Sequence, residues 1–259
     1  MTSGGGRPKP YLLLSIRAEE RAALDEHAAF ARFLGAGRDE VHRVELGSRP
    51  LPAIDLDDWA GIILGGGAFT ASDPDDAKSP AQLRAEADLV LLLDDVVARD
   101  FPFLGACYGI GTLGSHQGAV VDRSFPEPVG PVSVTLTEAG AADPLLAGLP
   151  PHFEAYGGHK EAISRLPDHA VVLATSSACP VQAFRVGRNV YATQFHPELD
   201  LDGLLTRIAV YAHHGYFDPS EQDALGRAAA AVRVTHPMRV LRNFAAICRA
   251  AGREDATQS

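Results

Sequence analysis

Apolar residues along the chain follow two rhythms. Short runs rich in Leu, Ile and Val alternate with longer segments in which apolar positions return every three or four residues. That alternation predicts an α/β protein with a largely parallel sheet. YLLLSI at 11–16 reads as a strand, AEERAALDEHAAFARFLGAG at 18–37 as an amphipathic helix closed by glycine, and VHRVEL at 41–46 as the next strand. WAGIIL at 59–64 is a third strand and runs into three glycines. The polar stretch TASDPDDAKSP at 70–80 reads as a loop, with its DPDD run solvated, and a helix follows over 81–99. FPFLGA at 101–106 is a buried strand entering Cys107, after which YGIGTLGSHQ starts a helix despite its glycines.

The second half changes character. VSVTLT (132–137), HFEAY (152–156), AVVLAT (170–175), VQAFRVG (181–187) and NVYATQF (189–195) read as short strands, the last two joined at Gly187 to Asn189 like a hairpin. A helix from Leu201 to His214 comes next, and the tail reads as two helices separated near Thr235 and Pro237. The expected organisation is a flexible leader over 1–10, one domain over 11–215 and a C-terminal helical extension over 216–259. Its fold class is an open, mostly parallel sheet flanked by helices.

Composition narrows the function classes. At 46% hydrophobic and 22% charged the chain has material for a buried core, and its net charge of −10 is dispersed rather than gathered in a tail. Such a balance argues against a general affinity for nucleic acid backbones or anionic membrane surfaces. No apolar run reaches the roughly 18 residues a membrane span requires, and MTSGGGRPKP lacks the apolar segment of a secretory signal, so a cytoplasmic location is expected. Three irregularly spaced cysteines indicate neither a disulfide framework nor a CxxC metal site, and Cys179 and Cys248 read as small buried hydrophobes. His116, His213, His214 and His236 show no metal-ligand spacing with nearby cysteines or carboxylates, and solvated or capping roles are expected of them.

Cys107 stands apart. Ligands of an open parallel sheet bind beyond the carboxyl ends of its strands, and this thiol sits at such an end, between Gly105 and Gly109. Small residues at that spacing permit a sharp strand-to-helix turn that presents a nucleophile, and the helix N-terminus beyond it favours a thiolate. A thiolate needs a histidine partner oriented by a carboxylate. QFHPELD offers both, in His196 and Glu198, with Pro197 ending the strand. In GIILGGGAFT, backbone amides at a strand end can stabilise an oxyanion, with Gly67 and the amide of Tyr108 as the two donors. The other readings of that stretch are an unliganded glycine turn or a phosphate loop, and neither GxxxxGK[ST] nor GxGxxG is present to support the latter.

Together these segments resemble the class I (triad type) glutamine amidotransferases, in particular the glutaminase domain of GMP synthetase. GACYGIG is similar to the family's G-x-C-x-G-x-Q nucleophile motif, LGGGAF to its oxyanion strand end, QFHPE to its F-H-P-E motif, and YGGHKEAI to the histidine-bearing turn before the last strands. The resemblance spans about residues 11–214 and implies a flavodoxin-like fold. It makes Cys107 the nucleophile, His196 the general base and acid, and Glu198 its orienting carboxylate. Gly66, Gly111, Tyr156, Gly157, Gly158 and His159 fall on the substrate side.

The implied reaction is hydrolysis of the glutamine side-chain amide through a γ-glutamyl thioester, with no metal or organic cofactor. The implied partner is a separate ammonia-accepting synthase subunit, since the tail beyond 215 is too short to be a synthase. Two departures bear on the substrate: Gly111 stands where the family has glutamine, and Ala68 where many members have proline. They leave open a stand-alone γ-glutamyl hydrolase or peptidase acting on another γ-glutamyl compound. A catalytically silent binding module of the same fold is the non-enzymatic alternative.

Overall fold

A computed structural model describes residues 8–212 and 217–258, without the side chains of 254–258. The first seven residues of the expected leader, and His213 and His214, lie outside the described residues. The strands are β1 (Tyr11–Ser15), β2 (Val41–Glu45), β3 (Gly61–Leu64), β4 (Phe103–Ala106), β5 (Val120–Asp122), β6 (Glu127–Leu136), β7 (His152–His159), β8 (Ala162–Arg165), β9 (Val171–Thr175), β10 (Ala183–Val186) and β11 (Val190–Thr193). The helices are α1 (Glu20–Leu34), α2 (Pro80–Ala98), α3 (Tyr108–His116), α4 (Glu138–Ala142), α5 (Leu201–Tyr211), α6 (Gln222–Ala231) and α7 (Met238–Gln258).

Nine strands form one sheet in the order β2-β1-β3-β4-β11-β10-β9-β6-β7. The first five are mutually parallel, and the rest join antiparallel, beginning with the β10–β11 hairpin. Alternation along each strand splits the core into two layers. Leu12 and Leu14 of β1 pack in one layer with Leu89 and Leu93 of α2 and Leu113 of α3. Tyr11 and Leu13 pack in the other with Phe30 of α1 and Val240, Leu241 and Phe244 of α7. The last helix is therefore part of the main core rather than a surface attachment. Among the described residues no helix is long and apolar enough to cross a membrane.

Local chemistry accounts for the boundaries. α1 ends where Gly35 adopts the left-handed conformation, and α2 starts with Pro80 after Ser79, whose Oγ accepts a bond from the Gln82 amide at 3.1 Å. Asp200 caps α5 in the same manner through the Gly203 amide at 2.9 Å. The DPDD stretch is exposed, as expected, but it is also tied down: Asp75–Ala77 forms a 3₁₀ turn, Lys78 bridges Asp75 and Glu86, and Asp73 pairs with Arg123.

Three features depart from the sequence expectation. β6 begins at Glu127, five residues early, because Pro128 falls where the ladder to β7 shifts register between Glu127 and Gly130, while Pro131 pairs with Tyr156. Tyr156–His159 continues β7 as strand instead of forming a turn, since the register pairs Tyr156 with Pro131, Gly157 with Gly130 and His159 with Glu127. A small antiparallel sheet of β5 and β8, together with α4, lies in segments whose periodicity is too short to register.

Candidate active site

Strand order brings the chemistry together. β3, β4 and β11 are adjacent and parallel, with Leu64 beside Gly105 and Ala106 beside Thr193, so the segments leaving their carboxyl ends share one crevice. The Cys107 amide donates to the Thr193 carbonyl at 2.8 Å, locking the turn between β4 and α3 to β11. Cys107 itself has φ 55° and ψ −97°, a positive-φ conformation outside the regions ordinarily open to a non-glycine residue and so held at a cost in energy. The turn is tight enough that a Cβ on Gly105 would stand 2.7 Å from the Gly109 backbone. Only glycine fits there.

The histidine arrives from the next strand. The His196 amide donates to the Tyr156 carbonyl at 2.9 Å, and the Thr193 hydroxyl to the Phe195 carbonyl at 2.9 Å, so the turn after β11 is fixed on both sides. His196 Nδ1 lies 2.9 Å from Oε1 of the fully buried Glu198, and the ring lines the same cavity as Cys107. The three residues do meet. Gly66 lies against both partners: a Cβ there would stand 2.6 Å from His196 Cε1 and 3.1 Å from Cys107 Cβ. Tyr108 opens α3, so its amide has no carbonyl within the helix to bond, and Gly67 lines the crevice beside Cys107.

Burial alone would pull the His196 pKa down, but the Glu198 carboxylate and the Cys107 thiol more than offset it, and the net shift is upward, with Arg207 opposing. Burial likewise pushes Glu198 up, and the charges of His196 and Arg207 overturn that, holding the carboxyl far below its usual range. Arg207 was not among the sequence candidates. Its Nη2 donates to Glu198 Oε1 at 2.7 Å and lies 3.5 Å from Glu26 Oε1, while Arg17 Nε donates to the same Glu26 atom at 2.7 Å. Glu26 and Arg207 are charged residues on the buried faces of α1 and α5, and their position in the helical period was a signal available for both.

The family profile described as Glutamine amidotransferase class-I matches residues 40–206, well over half the chain. The chain belongs to this family. It is 30% identical over 163 residues to a subunit of the glutamine-hydrolyzing GMP synthase of Thermoplasma volcanium, covering 62% of this chain and 71% of that protein. To the glutamine-hydrolyzing GMP synthase of Pasteurella multocida it is 32% identical over 147 residues, 54% of this chain, and it spans only 25% of that longer protein. The crystal structure of a glutamine amidotransferase from Thermotoga maritima superposes with a TM-score of 0.74 at 20% identity, covering 93% of this chain and 99% of that one, which shows the shared fold.

The family motif glutamine is replaced here by Gly111, and the space is not left open. A Cβ on Gly111 would stand 3.2 Å from Glu161 Oε1. Glu161 in turn accepts bonds from the amides of Ala71 at 2.8 Å and Ser72 at 2.7 Å, tying down the segment that follows the glycines at 65–67. Gly158 and His159 line the cavity beside Cys107, but both ring nitrogens of His159 are engaged, Nδ1 with the Glu161 carbonyl and Nε2 with Glu127, each at 2.8 Å. Gly157 and Gly158 also line the His196 side. Tyr156 lines neither side of the crevice. Its ring is buried beneath α6 and its hydroxyl donates to the Ala229 carbonyl at 3.1 Å, so the reason for its position is packing and support of His196.

Among the described residues, Glu127, His159 and Cys179 bring three possible metal-ligand atoms within 4.8 Å of one another. Each already has a protein partner: His159 and Glu127 bond to each other, and the Cys179 thiol donates to the Val181 carbonyl at 3.5 Å. Glu127 takes bonds from Ser176, Gln182 and His159, and burial pushes the Cys179 thiol up to about 11, away from the thiolate a metal would need.

Proposed function

We propose that this protein hydrolyses the side-chain amide of glutamine, with Cys107 as nucleophile, His196 as acid and base and Glu198 as the carboxylate that orients His196. The observation that carries the proposal is the convergence of a strained Cys107, His196 and a fully buried Glu198 at the ends of adjacent strands. With Nδ1 committed to Glu198, the other ring nitrogen serves the thiol. The Cys107 thiolate attacks the amide carbon, and the negative charge that appears on the carbonyl oxygen meets the amides of Gly67 and Tyr108. The C–N bond then breaks as His196 delivers its proton to nitrogen, releasing ammonia and leaving a γ-glutamyl thioester. Water, deprotonated by His196, attacks the thioester and glutamate departs.

Ammonia formed in this way supplies a separate synthase subunit. The support for that partner is the likeness to the Thermoplasma volcanium protein, whose name makes it one part of a glutamine-hydrolyzing GMP synthase. On the substrate side Glu161, in the space before Gly111, shapes the wall that receives the glutamyl group. The deciding experiment measures glutamate and ammonia released from glutamine by the wild type and by Cys107→Ala, with and without a GMP synthase subunit lacking its own glutaminase. Turnover in the wild type and its disappearance in the variant are expected; equal turnover in both ends the assignment.

A further inference from the structure

Two cavities meet at Cys107. One, of about 50 Å³, is walled by Thr70, Tyr108, His159 and Glu161. The other, of about 70 Å³, has His196 in its wall together with Arg17, Arg207, Leu204, Ile208 and Phe217. Chemistry assigns their roles. The imidazole must hand its proton to the departing nitrogen within hydrogen-bond reach, so the leaving group occupies the His196 side and the glutamyl group the other.

The His196 side is furnished for more than ammonia. Its charged lining is cationic: Arg17 and Arg207 reach the wall, whereas their carboxylate partners Glu26 and Glu198 are fully buried and line no part of it. Arg17 is itself only 4% exposed. Its Nε is held by Glu26 at 2.7 Å and its Nη1 donates to the Tyr211 hydroxyl at 3.1 Å, while Nη2 makes no hydrogen bond among the described residues. That nitrogen stands 3.5 Å from the point where a Gly66 Cβ would lie, the same point that is 2.6 Å from His196 Cε1. A donor edge of a guanidinium, fixed in place by its other two nitrogens, is a carboxylate receptor.

We propose that this cavity is a leaving-group subsite for amines that carry a carboxylate, so that the protein cleaves γ-glutamyl amino acids, with Arg17 Nη2 receiving the carboxylate of the departing amino acid. The assignment rests on the hydrolase reading above. Cys107 sulfur bonds to the γ-carbonyl carbon, the C–N bond breaks, the nitrogen takes the proton from His196, and the free amino acid leaves. Water then cleaves the thioester to glutamate, so one dipeptide and one water give two amino acids.

The test compares kcat/KM for glutamine, γ-glutamyl methylamide and γ-glutamylglycine in the wild type, Arg17→Met and Arg17→Lys. The methylamide matches the dipeptide in its secondary amide but has no carboxylate. The wild type should favour γ-glutamylglycine over the methylamide by about tenfold or more, the range of a charge-assisted hydrogen bond. Arg17→Met should bring that ratio near one, and Arg17→Lys should retain part of it. Because the readout is a ratio within each protein, general damage to the fold cancels. A wild type that turns over glutamine without preferring the dipeptide overturns the subsite, as does a loss shared equally by all substrates in Arg17→Met, which would place Arg17 against the glutamyl group instead. Inertness toward all three substrates, glutamine included, would sink the hydrolase reading itself.

Discussion

At the scale of single residues, the site works by assigning each group one task through its surroundings. Cys107 is presented by backbone strain, the His196 pKa is raised by Glu198 and Cys107 against the pull of burial, and Glu198 is kept ionised by His196 and Arg207. Glu198→Gln preserves the shape and removes the charge. His196 then loses the main influence that raises its pKa, so the imidazolium gives up its proton at lower pH. The alkaline limb of the kcat/KM profile should move down in pH, and kcat should fall by roughly 10²–10⁴-fold, the order seen when a triad carboxylate is neutralised. A pH–rate profile of the variant with an unmoved alkaline limb would show that Glu198 does not set the charge of His196. Residue types alone were enough to single out Cys107, His196 and Glu198. They did not disclose Arg17, which lies in the connection between β1 and α1 where no period marks it, and for Glu26 and Arg207 the only signal was a charge on the apolar face of α1 and α5.

At the scale of elements, parallel neighbours set the site and the last helix secures it. Most strands follow from runs of Leu, Ile and Val, and α1 and α2 from their period and end signals. β6 escaped because Pro128, Gly130 and Pro131 argue against a strand, and only the β7 partner and a register shift accommodate them. The segment Tyr156–His159 looks like a turn for the same reason, being rich in glycine, yet pairing extends it as strand. α7 packs Val240, Leu241 and Phe244 into the layer that also holds α1. Phe244→Ala should therefore cost about 3–5 kcal/mol in urea denaturation, the usual loss for emptying a buried aromatic site. An attached helix outside the core would lose well under 1 kcal/mol.

At the scale of the whole molecule, buried charges make stability depend on pH. Glu198 and Glu127 are both held below the ordinary carboxylate range, Glu198 by His196 and Arg207, and Glu127, against its burial, by hydrogen bonds from His159, Ser176 and Gln182. A carboxyl with a depressed folded pKa stabilises the fold above its unfolded value, about 4.3, and loses that contribution as pH falls toward the folded value. His196 is raised, so its contribution is complete below about 6.5 and declines as pH rises through its folded pKa. The urea midpoint should therefore be highest near pH 5–6, drop steeply below about pH 4.3 and decline gently on the alkaline side. A midpoint unchanged between about pH 5 and pH 3 would contradict the inferred charge states.

What the amino-acid order by itself determined was local: the alternating elements, the glycines a tight turn requires, and the cysteine, histidine and carboxylate that stand as candidates, all matters of side-chain type and short spacing. Only the tertiary structure decided what distance decides. Strand adjacency brought residue 107 to residue 196, pairing turned an apparent turn into the end of β7, Glu161 filled the space before Gly111, and two arginines came to line the cavity beside His196. Each of these depends on contacts between segments far apart in the chain, where no local period carries the information.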